Sequence, residues 1–137
     1  MPNTFTAPFA QTTKTGLAVS TTATASIDTT PTNTALLVTA GSNGALVTSL
    51  WAIPRATVTA TVLYLFLSKD GGTTLRLIDT ELMSAATVNT TTAIAETQFA
   101  NYSQSNPFRL EAGDRLYVGV GVTLSNGIVF KAEYTDF

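Results

Sequence analysis

From Leu17 onward, turn signals interrupt the chain about every eight to twelve residues, the spacing of short strands folded back on one another. That punctuation predicts a sandwich or barrel of about seven to nine strands. Composition agrees. Threonine occurs 27 times and charged residues make up only 12% of the 137 residues. Uncharged β-branched side chains suit a pleated, half-buried surface. At this length one domain is expected, and 45% hydrophobic content is enough to line its core.

The strongest turn signals are Asn43-Gly44, between residues 35–39 and 46–53, and Asn126-Gly127, between residues 115–124 and 128–134. Asn and Gly accept positive φ, so both predict hairpins. Pro54 closes the strand before it because it cannot donate to a ladder. A third hairpin is predicted at Ser68-Lys69-Asp70-Gly71-Gly72. The run leading into it, residues 57–67, is the most hydrophobic in the chain. It sets Val58, Ala60, Val62, Tyr64 and Phe66 on one face and Leu63, Leu65 and Leu67 on the other. Burial on both faces means cover by loops or by another subunit. Leu63, Leu65 and Leu67 are therefore candidate oligomer contacts. Residues 83–97 read as strand or loop. In the last third, Leu116, Val118 and Val120, then Ile128, Phe130, Ala132 and Tyr134, alternate with small or polar residues, which gives each strand one core face.

Residues 1–15, with Phe5, Pro8 and Phe9 among small polar residues, read as an extended arm ahead of a sandwich over residues 16–137. Two phenylalanines seldom sit in a purely solvated tail, so Phe5, Pro8 and Phe9 are candidate contacts to a neighbouring protein.

The sequence has no histidine and no cysteine, which excludes the usual zinc sites, Ser-His-Asp and Cys-His catalysis, and thiol redox chemistry. No metal and no cofactor is expected. Seven basic against nine acidic residues leave a net charge of −2 without a basic block, so nucleic acid is not an expected partner. No apolar run reaches the length of a membrane span or a signal peptide, so no membrane partner is expected and the chain is expected to be made in the cytoplasm. A catalytic carboxylate pair would be sought among Asp79, Glu81, Glu111, Asp114, Glu133 and Asp136; only Asp79 and Glu81 share a face of one period-two strand, and solvated charges that block edge pairing explain them at least as well. Ser68 to Leu75 resembles the Asp-box of sialidase propellers without its aromatic. A hairpin in which Asp70 accepts local N–H groups is the plainer reading. Trp51, Tyr64, Tyr102, Tyr117 and Tyr134 are candidates for a sugar-stacking platform, although Trp51, between Leu50 and Ile53, is expected in the core. The polar segment 98–107 is the candidate ligand loop, with Tyr102 exposed and Asn101 and Asn106 beside it.

Thr6 to Thr12, Leu37 to Gly44, and the stretch from Tyr64 through Asp70-Gly71-Gly72 to Leu77 resemble, in the same order, small virion structural proteins of tailed bacteriophages and prophages. The Asp136-Phe137 end is similar to theirs. The resemblance implies a virion location, with the capsid surface favoured, and the major capsid protein as partner. It transfers no catalytic residue. The resulting expectation is a non-enzymatic capsid decoration protein. Its fold would be an all-β, antiparallel, jelly-roll-like sandwich, and it would assemble as a homotrimer or another symmetric oligomer. The alternative is a head-fibre or tail-tip module that binds a host cell-surface glycan.

Overall fold

The computed structural model describes residues 12–27 and 29–137. Over these it is all β, with nine strands: β1 Thr12–Ser20, β2 Ala35–Thr39, β3 Ala45–Pro54, β4 Thr61–Ser68, β5 Arg76–Met83, β6 Thr97–Gln98, β7 Phe108–Leu110, β8 Arg115–Val120 and β9 Ile128–Asp136. Two antiparallel sheets pack face to face. One runs β1-β9-β3-β6, with β7 also paired to β3, and the other runs β2-β8-β4-β5.

Residues 12–15, expected in the arm, already pair with β9 as the first part of β1. Phe5, Pro8 and Phe9 lie outside the described residues. The period-two reading of the last strands holds: Ile128, Phe130, Ala132 and Tyr134 are buried, as are Leu116, Val118 and Val120. Across three neighbouring strands Ala18 and Ala52 flank Phe130, and Gly16 and Ala132 lie in a row with Leu50. Small residues beside a large one leave room for the ring, so the layers interdigitate at interior density.

The two Asn-Gly turns are not hairpins. β2 pairs with β8 and β3 with β9, so each turn carries the chain from one sheet to the other. Only the glycine takes positive φ, Gly44 at 90° and Gly127 at 81°. The Asp70 turn is a true hairpin between β4 and β5. There Asp70 Oδ1 accepts the Thr74 amide at 2.8 Å and the Ser68 hydroxyl at 2.9 Å.

Leu63 and Leu65 are 0% exposed inside the chain's own core, opposite Val120 and Val118. Leu67 packs partly buried against the same cluster. Leu63 and Leu65 are thus not offered to a second subunit, which corrects the expected oligomer contact at those two positions. The opposite face of β4 carries Phe66, also fully buried but outside the main core cluster. The segment after β1 runs beside β8: the Thr24 amide donates to the Val120 carbonyl at 2.8 Å, and Thr29, Thr30, Pro31 and Thr34 line a cleft with Tyr117, the neighbour of Phe66. Phe66 is thus buried within the chain itself, without a second subunit.

Candidate functional site

β3 alternates so that Leu50 and Ala52 point inward. Trp51 therefore points outward, against the expectation of a core tryptophan. Its cross-strand row on the outer face of the five-stranded sheet is Leu17–Lys131–Trp51, and the next row is Val19–Val129–Ile53. Leu17 is 64% and Val19 42% exposed. Lys131 lays its ammonium 4.3 Å from the centre of the indole ring, so its aliphatic stem runs along apolar neighbours while the charge stays wet. The result is an outward patch three strands wide, roughly 10 Å at ordinary strand spacing, apolar except for Lys131 at its middle.

The expected ligand loop is organised differently. Tyr102 is half-buried, its ring 5.4 Å from that of Phe108. Asn106 donates its side-chain amide to the Asn101 carbonyl at 2.7 Å, and Asn101 donates its own to Asp79 at 3.3 Å. Glu81 Oε1 accepts the Ala100 amide at 3.4 Å. The loop is thus fastened to the core-facing side of β5 through the side chains of Asp79 and Glu81, strand neighbours two apart. Period-two alternation puts these acids on one face, but nothing local in the sequence marks the loop that meets them. Burial, aided by the nearby Asp79 carboxylate, pushes the Tyr102 phenol well above its ordinary value.

That shift has a measurable consequence. Because the folded state holds the phenol proton more tightly, its contribution is complete below the ordinary tyrosine value of about 10 and is lost as pH rises beyond it. Tyr102→Phe should flatten the fall in melting temperature above that pH. An unchanged slope in the variant would remove Tyr102 as its cause.

The five aromatics considered as one platform do not converge. Trp51 lies outside the five-stranded sheet, and Tyr134 is buried between the sheets. Tyr64 and Tyr117 lie over the four-stranded sheet, and Tyr102 lies in its loop. Two other carboxylates fasten turns. Asp136 accepts the Gly41 amide at 3.2 Å and pairs with Lys14 at 2.6 Å. Asp114 accepts the Glu111 amide and the Lys69 ammonium, both at 2.9 Å. Among the described residues no three acidic side chains gather as metal ligands. No family model matches the chain, and neither a curated protein nor a solved structure does.

Proposed function

We propose that the chain is a non-enzymatic virion component that binds the capsid surface of a tailed bacteriophage and stabilises it. The observation that carries this reading is the outward apolar patch of Leu17, Val19, Trp51, Ile53 and Val129. An outward apolar patch that includes a tryptophan is an ordinary mark of a protein interface. Side chains spread over the outer face of a sheet suit another protein surface better than a small ligand, which needs a concave site. The choice of a capsid as that surface rests on the resemblance of the turn and strand segments to phage virion proteins. The strand orders β1-β9-β3-β6 and β2-β8-β4-β5 support the jelly-roll-like winding proposed with it. Phe5, Pro8 and Phe9 are proposed as a second anchor on the capsid.

The test is binding of purified protein to particles stripped of it. Leu17→Glu combined with Trp51→Glu should leave thermal unfolding nearly unchanged, as surface substitutions do. The same variant should weaken particle binding about a hundredfold, the size of effect expected from a central aromatic contact. Deletion of residues 1–10 should likewise lower occupancy while the sandwich stays folded. Full occupancy of the double variant would rule out this face as the docking surface, and full occupancy after deletion would rule out the anchor.

A further inference from the structure

We propose that β5 is a self-recognition edge, along which two copies of the chain pair antiparallel about a two-fold axis and merge their four-stranded sheets. β5 has β4 on one side and ends the sheet. It is eight residues long, whereas β6 and β7, at the edge of the other sheet, have two and three. The remaining edges close on each other: β1 lies against β2 so tightly that a Cβ at Gly16 would sit 2.4 Å from the Leu37 carbonyl oxygen. β5 is therefore the long unpaired strand edge among the described residues; its sequence, RLIDTELM, contains neither proline nor lysine, and what guards it against chance pairing is the bulge at Ile78 with the inward-turned charges of Arg76, Asp79 and Glu81. Among the described residues, three of the six exposed large hydrophobics, Leu77, Ile78 and Leu82, belong to it.

The charge pattern identifies the occupant as a second copy. A bulge at Ile78 shifts the strand's phase, so that Arg76, Asp79 and Glu81 lie on the core-facing side while Leu77, Thr80 and Leu82 lie on the outer side. An antiparallel copy that sets Arg76 opposite Glu81 also sets Leu77 opposite Thr80. Both pairings keep each face matched, and the two-fold axis repeats each of them. Registers that place Glu81 against itself or against Asp79 also match faces, but they oppose like charges, which destabilises cross-strand pairs. The strand thus favours registers that set Arg76 opposite an acid, and the one opposite Glu81 pairs the greater length of strand. The contact leaves the Trp51 face uncovered, so it stands or falls independently of the capsid reading.

The experiment is a charge swap followed by light scattering and sedimentation over a micromolar dilution series of the full chain. The unaltered protein should show twice the 14.4 kDa chain mass. Arg76→Glu alone and Glu81→Arg alone should each weaken association about tenfold or more, because each sets like charges opposite. Mixing the two single variants should restore pairing, since each then supplies the charge the other lacks. The double variant R76E/E81R should restore it as well, and its pairing certifies that both substitutions are compatible with folding. A monomeric unaltered chain, a threefold mass, single variants that associate as the unaltered chain does, or a mixture that stays monomeric would each overturn the proposal.

Discussion

Gly44→Ala is expected to remove about 2–5 kcal/mol of stability, a large share of the roughly 5–15 kcal/mol that holds a domain folded. Two costs add. The backbone at Gly44 has φ of 90°, a region that costs a residue with a Cβ about 1–2 kcal/mol. The new Cβ would also sit 2.5 Å from the Leu110 carbonyl oxygen, a backbone atom that cannot swing aside; overpacking of this kind costs about 1–3 kcal/mol. Gly113→Ala separates the two costs, because Gly113 has φ of 77° with nothing within 4 Å of the added carbon. It should show the conformational cost alone. Thermal unfolding reads the difference, at about 4 °C for each kcal/mol in a chain of this length. Equal losses at the two positions would show that the contact with Leu110 contributes nothing.

Phe66→Ala should cost about 3–5 kcal/mol, as much as Phe130→Ala in the main core. The ring lies on the outward face of β4, where a solvated strand residue would lose little on truncation. It is nevertheless fully buried, with Tyr64 6.1 Å away and the segment after β1 running beside β8. Urea unfolding of the two variants gives the comparison. A loss below about 1 kcal/mol at Phe66, with the usual core loss at Phe130, would show that the ring is not sealed within the chain in solution.

The parts of this fold that a period of two can encode were readable before any coordinates. The core faces of β8 and β9, the closure of β3 at Pro54 and the double burial at Leu65 and Phe66 all follow from which residues alternate. What alternation does not carry is the identity of the partner strand. Asn43-Gly44 and Asn126-Gly127 have the chemistry of hairpin turns, yet the strands they join belong to different sheets, because a tight turn can reverse the chain between layers as readily as within one. The same blindness hid the segment beside β8. Residues 21–34 are mostly threonine and other small residues with no periodic apolar signal, and the place of residues 21–27 beside β8 is set by backbone bonds such as Thr24 to Val120.

The candidate surface divides in the same way. Trp51 has apolar neighbours in sequence, which favoured a core position, but strict alternation with Leu50 and Ala52 turns it out, and its patch is completed by Leu17 and Val129 from strands far away in the chain. Asn101 and Tyr102 have the polarity of a ligand loop. The structure spends that polarity on Asp79 and Glu81, residues about twenty positions earlier that no local pattern links to them.

The location of the chain on intact particles tests the central claim most directly. Electron microscopy of virions that carry the protein should show its sandwich repeated with the symmetry of the capsid shell, the outer face of the five-stranded sheet turned toward the major capsid protein. Density confined to the tail would contradict the account and favour the glycan-binding alternative.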